Sequence, residues 1–252
     1  MSSESSSATL IARRAPAARQ RWSGYRVSDH AVWATLYRRR MTDLPDQASR
    51  VFLAGLAAVG LDPDRIPNLR EVNRRLAPRT GWRAVAVAGY LPAPAFFARL
   101  ARRRFPTTVT VRSPESLDYA PEPDIFHDVF GHVPLHADPT FAEFLGRIGA
   151  LAARASEPAA VERLARLFWF TVEFGLVAER GEVRVYGSGL ISSTAEARHA
   201  LGPGCDRRPF DLAEVLETPF EIDRLQPVLF VVESFEELFR SLDGARRLLG
   251  VK

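Results

Sequence analysis

The sequence is poor in cysteine, in lysine and in long apolar runs. Among its 252 residues Cys205 is the only cysteine. This excludes a disulfide framework and is typical of a reducing compartment, so the sequence predicts a cytoplasmic protein. No apolar run is long enough to cross a bilayer, which predicts no membrane partner. Lys252 is the only lysine, so the net charge of +4 comes from arginines. They are spread out among acidic residues, which argues against a nucleic-acid partner.

Apolar side chains are abundant and make up 46% of the chain, enough for the core of one large domain. Residues 1–21 are rich in Ser, Ala and Arg and are predicted to be a disordered tail, with an organellar transit peptide as the alternative. Residues 22–252 are predicted to fold, and their patterns favour a mainly α class with short β-strands. Helices are predicted at 29–40, 46–59, 67–76, 94–103, 139–155, 158–173 and 235–249, and strands at 82–88, 107–112, 182–186 and 225–232.

Two histidines in one apolar stretch, His127 and His132, form the first part of a predicted metal site. Ligands on one face of an α-helix are usually four residues apart, whereas these two are five apart. Gly131 removes the difficulty if it adopts positive φ and ends a helix that begins near Pro123, because His132 then turns back toward His127. Pro134 prevents the helix from continuing.

Glu173 is the third predicted ligand. It is the one ionisable residue between Phe168 and Val177, and a buried carboxylate is costly unless it is paired or bound to a cation. Two imidazoles and one carboxylate form the facial triad of non-haem ferrous iron, although three-ligand zinc sites use the same residue types. The alternative is that both histidines are hydrogen-bonded core residues. His136 is a rival ligand, but the turn at Asp138-Pro139 predicts that it lies on the surface.

Three blocks of the sequence resemble, in their order and spacing, the pterin-dependent aromatic amino acid hydroxylases, and most closely the short bacterial members that act on phenylalanine. The blocks are residues 122–135 (EPDIFHDVFGHVPL), 169–176 (WFTVEFGL) and 186–193 (YGSGLISS). The resemblance implies a single catalytic domain over residues 22–252, a helical basket with short strands. It also implies phenylalanine 4-monooxygenase activity, which converts L-phenylalanine to L-tyrosine with O2, a tetrahydropterin and a mononuclear Fe(II) held by His127, His132 and Glu173.

The same resemblance implies which side chains hold the amino acid substrate. Arg112 binds the substrate carboxylate, Asp124 orients Arg112, and Ser192 touches the amino acid moiety. Trp169 and Phe174 wall the pocket for the aromatic ring, and Trp169 is one of two residues that the resemblance places in catalysis. Relatives that act on tryptophan tend to carry a smaller aromatic residue at this position, so Trp169 favours phenylalanine or tyrosine.

For the pterin, the resemblance implies a loop formed by Gly89, Tyr90 and Leu91, and the ring of Phe96 stacked on the cofactor. Asp128 lies near the pterin in this reading and is the second residue placed in catalysis. From the sequence alone, Asp128 could equally be an ordinary aspartate on a helix surface.

Three alternatives stay open on the sequence. One is tyrosine or tryptophan hydroxylation within the same family, another is a zinc hydrolase with the same three ligands, and the third is a non-catalytic binding protein built on the same fold. No regulatory domain or long heptad tail is visible beside the catalytic region, which predicts a constitutively active monomer. The family chemistry implies a pterin-recycling dehydratase as its pathway partner.

Overall fold

The computed structural model of the chain describes residues 18–89, 91–118, 122–222 and 224–251. The α-helices are α1 (Val27–Gln47), α2 (Arg50–Val59), α3 (Leu69–Thr80), α4 (Ala93–Leu100), α5 (Pro139–Arg154), α6 (Pro158–Phe168), α7 (Ser188–Ser192), α8 (Thr194–Leu201), α9 (Leu212–Glu217) and α10 (Phe235–Leu248). The strands are β1 (Arg83–Val87), β2 (Arg104–Thr108), β3 (Leu176–Glu179), β4 (Glu182–Val185), β5 (Asp206–Pro209) and β6 (Val228–Val232). The mainly α class with short strands is therefore confirmed. No helix in these four ranges combines the length and the apolarity that a bilayer crossing needs.

Two small sheets lie among the helices. Strands β1 and β2 pair in parallel, with Arg83 opposite Arg104. The other sheet has the order β4-β3-β6-β5, in which β3 is antiparallel to β4 and β6 is parallel to both β3 and β5. The strand predicted at 182–186 is present as β4, and it forms a hairpin with β3, which begins at Leu176, just after Glu173.

Helix ends follow local chemistry where the sequence carries a capping residue. Ser49 caps α2 by accepting a backbone N–H, and Gly60 ends the same helix in the left-handed conformation, with φ of 61°. The start of α1 differs from its prediction, which placed it at residue 29. The helix begins two residues earlier, at Val27, and Asp29 acts from within the first turn by accepting the backbone N–H of Arg26 at 2.8 Å.

Several predicted bounds are wrong, in the helices as well as in the strands. Helix α1 ends at 47 rather than 40, and α2 begins at 50 rather than 46. Strand β2 covers 104–108 rather than 107–112, β6 begins at 228 rather than 225, and strands β3 and β5 were not predicted. Short strands are defined by the neighbour with which they pair, and four or five residues carry little periodicity of their own. The helix predicted from 158 to 173 is α-helical only as far as Phe168, and it continues as a π-helical turn over Trp169–Glu173.

The core around the histidine-bearing stretch is aromatic. Phe126 and Phe130 stack with ring centroids 4.7 Å apart, Trp33 of α1 meets Phe126 edge-on at 5.3 Å, and Phe52 of α2 meets Phe130 at 6.1 Å. All four side chains are fully buried. Burial of a side chain of this size contributes about 1.5–3 kcal/mol. These contacts hold the stretch that bears the histidines inside the molecule.

The first described residues already contact the domain. The Gln20 side chain donates to the Pro67 carbonyl at 2.9 Å and accepts the Leu69 backbone N–H at 2.9 Å. Gln20 lies within residues 1–21, the predicted tail. Residues 1–17, the greater part of that predicted tail, lie outside the described residues.

Candidate metal centre

His127 and His132 lie on one π-helical turn, Phe126–His132. Hydrogen bonds in a π-helix join residues five apart, so two side chains five apart lie much closer to one face than they do in an α-helix. The predicted helix end with positive φ at Gly131 is therefore wrong: this glycine keeps a negative φ and His132 continues the turn. A glycine is needed for a different reason, because a Cβ at this position would lie 2.9 Å from the Ser188 carbonyl oxygen.

Glu173 closes the second π-helical turn, Trp169–Glu173, and its carboxylate faces both histidines. Oε1 lies 3.2 Å from His132 Nε2, Oε2 lies 3.5 Å from His127 Nε2, and the two Nε2 atoms are 3.3 Å apart. One donor atom from each residue thus lies within 4.8 Å of the other two. The structure brings the three predicted ligands together around one point.

The charge states suit a divalent cation. Burial alone would raise the pKa of Glu173, but His132, His127 and the Ser188 hydroxyl together lower it to about 2. Burial lowers the pKa of His127 against the opposing attraction of Glu173. At neutral pH the carboxylate is therefore anionic and the His127 imidazole is neutral, the forms in which these groups bind a metal.

Two serines of α7 contact the side chains of His127 and Glu173. Ser192 Oγ donates to the Ser188 carbonyl at 2.7 Å and lies 3.0 Å from His127 Nδ1. Since its proton is already used, Ser192 accepts the Nδ1–H of His127, which assigns the tautomer with an unprotonated Nε2. Ser188 Oγ donates to Glu173 Oε2 at 2.6 Å. Such partners orient metal ligands, and the sequence analysis missed Ser188.

His136 is buried, and its predicted surface position is wrong. Its exposed fraction is 0%, and its ring lies 5.0 Å from Trp82 and 4.8 Å from Phe105. The 3-10 turn Val133–Ala137 keeps the chain in the core until Asp138 caps α5. Neither ring nitrogen has a hydrogen-bond partner among the described residues, and burial holds the pKa of His136 well below its usual value. His136 does not belong to the ligand cluster.

Arg112 and Asp124 form a buried ion pair next to the metal ligands. Arg112 donates through Nε and Nη2 to the two carboxylate oxygens of Asp124 at 2.8 and 2.9 Å, and through its backbone N–H at 3.1 Å. Asp124 also accepts the backbone N–H of His127 at 3.0 Å. Burial opposes ionisation of Asp124, but Arg112 holds the pKa of that carboxyl below its usual 3.8. A cavity of about 520 Å³ opens beside Arg112 and Ser192.

An aromatic group lies beside the second π-helical turn. Trp169 begins that turn, and its ring lies 4.8 Å from Phe174 and stacks on Phe220 at 4.3 Å. Its indole N–H donates to Gln226 Oε1 at 3.3 Å. Trp169 is thus held on one face and at its polar edge, so its orientation is restricted.

The segment expected to bind pterin is described only in part. Tyr90 lies outside the described residues, and Gly89 and Leu91 flank it. Phe96 of α4 is half-buried and meets Phe168 edge-on at 5.2 Å.

Asp128 is buried rather than exposed on a helix surface. Its Oδ2 accepts both the backbone N–H and the hydroxyl of Thr108 at 2.7 Å, which joins the end of β2 to the histidine-bearing turn. Burial raises the pKa of Asp128, against the opposing effect of His127 and His132. The alternative of an ordinary surface aspartate is therefore wrong.

Sequence reasoning missed four residues around the centre. They are Thr108, Ser188, Phe220 and Gln226. Ser188 carries a signal in retrospect, because it precedes Ser192 by one helical turn and so shares its face. The other three lie far along the chain from the residues that they contact, and local pattern carries no information about such pairs.

Two imidazoles and a carboxylate around one point are the donor set of a mononuclear metal centre of the facial-triad type. A family model described as biopterin-dependent aromatic amino acid hydroxylase matches residues 21–246. The phenylalanine-4-hydroxylase of Chromobacterium violaceum is 44% identical over 216 residues, which cover 85% of this chain and 73% of that protein. The chain therefore belongs to the biopterin-dependent aromatic amino acid hydroxylase family.

Solved structures agree with this assignment. The C. violaceum phenylalanine hydroxylase with bound oxidised Fe(III) matches with a TM-score of 0.90 and 42% identity, over 92% of this chain and 85% of that one. The same enzyme with Fe(III) and the oxidised cofactor 7,8-dihydrobiopterin matches with a TM-score of 0.88 and 42% identity, over 93% and 86%. The fold and the family predicted from the sequence are confirmed.

Proposed function

We propose that the chain is a phenylalanine 4-monooxygenase that hydroxylates L-phenylalanine to L-tyrosine with O2 and a tetrahydropterin at Fe(II). The observation that carries this proposal is the cluster of His127, His132 and Glu173, which lies beside the Arg112–Asp124 pair. The relatives named phenylalanine-4-hydroxylase and the iron-bound structure support it.

His127 and His132 would hold the iron through Nε2, and Glu173 through its carboxylate. Three protein ligands on one face leave further coordination positions open, as in other facial-triad sites. Together with the pterin, the iron supplies the activation of O2 and the redox chemistry. The chain itself keeps His127 in the metal-binding tautomer through Ser192 and holds the carboxylate of Glu173 through Ser188.

Arg112 would bind the carboxylate of the substrate. Asp124 uses two of the five guanidinium N–H groups, so three are left for a second acceptor on the side of the cavity. Ser192, which lines the same cavity, would contact the amino acid moiety. Trp169 and Phe174 would line the pocket for the aromatic ring of the substrate. Their contacts with that ring would hold it in place and exclude water.

Gly89, Tyr90 and Leu91 would bind the pterin through their backbone, and Phe96 would stack on it. The edge-on contact of Phe96 with Phe168 supports this role, because that arrangement restricts the ring without covering both of its faces. Asp128 would lie beside the pterin and keep β2 and the metal-bearing turn in register through Thr108.

The direct test is incubation of the purified protein with Fe(II), a tetrahydropterin, O2 and phenylalanine, with tyrosine measured by chromatography. We expect tyrosine that depends on the pterin, and no turnover by Glu173→Ala. Full activity of that variant would overturn the proposal. Pterin oxidation without tyrosine would favour tryptophan or tyrosine as the substrate, and zinc in protein purified without added metal would favour the hydrolase.

We also propose that the protein acts as a cytoplasmic monomer and that a pterin-recycling dehydratase is its pathway partner. The single cysteine supports the reducing compartment. Size-exclusion chromatography with light scattering tests the monomer, and a rise in sustained turnover on addition of a pterin dehydratase tests the partner.

A further inference from the structure

Arg40 is a buried arginine that no part of the proposed reaction uses. It lies on α1 and its exposed fraction is 2%. Its guanidinium contacts α7, which lies about 150 residues later in the chain. Nε donates to the Ile191 carbonyl at 2.7 Å, Nη2 to the Leu190 carbonyl at 3.2 Å and Nη1 to Thr194 Oγ1 at 3.3 Å. Asp43 lies 3.7 Å from Nη1 and partly balances the charge.

Helix α7 needs such a partner. It has only five residues, and a helix of that length is not stable on its own. Its last carbonyls have no partner within the helix, and Leu190 and Ile191 are fully buried. A buried carbonyl without a hydrogen bond is costly, whereas a positive charge at a helix C-terminus is stabilising. Arg40 therefore provides hydrogen-bond donors for the last carbonyls of α7 and places a favourable positive charge at its C-terminus.

The same short helix carries the two serines behind the metal ligands. Ser188 donates to Glu173 Oε2 at 2.6 Å, and Ser192 lies 3.0 Å from His127 Nδ1. A shift or rotation of α7 would move both hydroxyls at once, and with them the carboxylate of one ligand and the ring of another. The position of α7 along its axis therefore bears directly on the geometry of the centre.

We propose that Arg40 is a positioning residue for the metal centre, acting through α7. It hydrogen-bonds to the C-terminal carbonyls of the helix, and this fixes the position of Ser188 next to Glu173 and of Ser192 next to His127. The inference rests on the metal site of the proposed function but not on its substrate or its pterin. Burial lowers the pKa of Arg40 only to about 10, so its guanidinium stays charged at neutral pH.

The test is a titration of metal-free protein with Co²⁺, followed by visible absorption without pterin or phenylalanine. Arg40→Met keeps the unbranched stem but removes the donors and the charge. We expect its apparent Kd to rise about threefold to tenfold, less than the roughly 10–100-fold typical of losing a direct partner of a ligand. Arg40→Lys keeps the charge and should bind more tightly than Arg40→Met, and it serves as the main variant if Arg40→Met does not fold.

The matched control is Arg75→Met. Arg75, which is exposed, also donates to two carbonyls at the end of a helix, those of Val59 in α2 and of its cap Gly60, at 3.0 and 2.8 Å, but α2 carries none of the three ligands or their serine partners. We expect it to lower the thermal midpoint without changing the Kd for Co²⁺. An equal loss of affinity in Arg75→Met would mean that Arg40 acts through general stability, which overturns the proposal.

A double-mutant cycle decides whether Arg40 acts through the serines. In protein that already carries Ser188→Ala and Ser192→Ala, Arg40→Met should have little further effect on the Kd. An unchanged effect in that background, or wild-type affinity in both Arg40 variants, would refute the inference. Since the readout is metal binding, a chain that binds Co²⁺ as expected but makes no tyrosine would contradict the proposed reaction and leave this inference standing.

Discussion

Asp124→Asn is a substitution for which the structure predicts a large loss of stability. One carboxylate oxygen accepts the Nε–H and the backbone N–H of Arg112, and the other accepts Nη2–H and the backbone N–H of His127. An amide has one oxygen, so its NH2 group must face two donors. Two of the four hydrogen bonds are lost, and the Arg112 guanidinium is left without a charge partner.

The magnitude follows from burial. The side chains of Arg112 and Asp124 are only 11% and 5% exposed, and breaking a buried pair by removing one partner costs about 3–5 kcal/mol. In a protein of this size 1 kcal/mol lowers the thermal midpoint by about 2–4 °C, so we expect a fall of roughly 6–20 °C. The matched control is Asp64→Asn, because the Arg38–Asp64 pair is largely exposed and such pairs contribute about 0–1 kcal/mol.

The pH dependence gives a second check on Asp124. Because its pKa in the folded protein is below the usual 3.8, its contribution is present above pH 4 and is lost as the pH falls through the folded value. Urea denaturation should therefore show a difference between wild type and Asp124→Asn that is constant near neutral pH and shrinks below pH 4. A variant within about 1 kcal/mol of wild type at pH 7 would refute the reasoning.

Three further predictions concern the centre and its surroundings. Ser188→Ala should weaken Co²⁺ binding about 10–100-fold, because Glu173 loses its hydroxyl partner; unchanged affinity would show that the hydrogen bond is not used. His136→Phe removes a buried imidazole that has no hydrogen-bond partner among the described residues, so the free energy of unfolding in urea titrations should be unchanged or rise by about 1 kcal/mol. A clear loss of stability would reveal a hydrogen-bond partner of His136. Trp169→Phe loses the hydrogen bond to Gln226 and enlarges the pocket. The ratio of kcat/KM for tryptophan to kcat/KM for phenylalanine should therefore rise about tenfold. An unchanged ratio would exclude Trp169 as a determinant of substrate specificity.

Much of the site could be predicted because its chemistry is carried by residue type. Glu173 stands alone in an apolar run, and two histidines share another, so few arrangements other than a metal site satisfy all three once they are buried. Helix α2 ends at residue 59 as predicted, because Gly60 caps it through bonds within a few residues, although its start at Arg50, after the N-cap Ser49, differs from the predicted residue 46. The motif blocks likewise predicted the family and the fold.

The sequence by itself determined which three side chains could cluster as metal ligands and where α2 ends, since these depend on side-chain chemistry and short-range bonds. Only the tertiary structure decided that the histidine stretch winds as a π-helix, because the local pattern fits an α-helix that ends at Gly131 equally well and packing selects between them. It also decided that His136 is buried and that Arg40 reaches α7. Such contacts join segments far apart in the chain, so their energies depend on packing that no local pattern records.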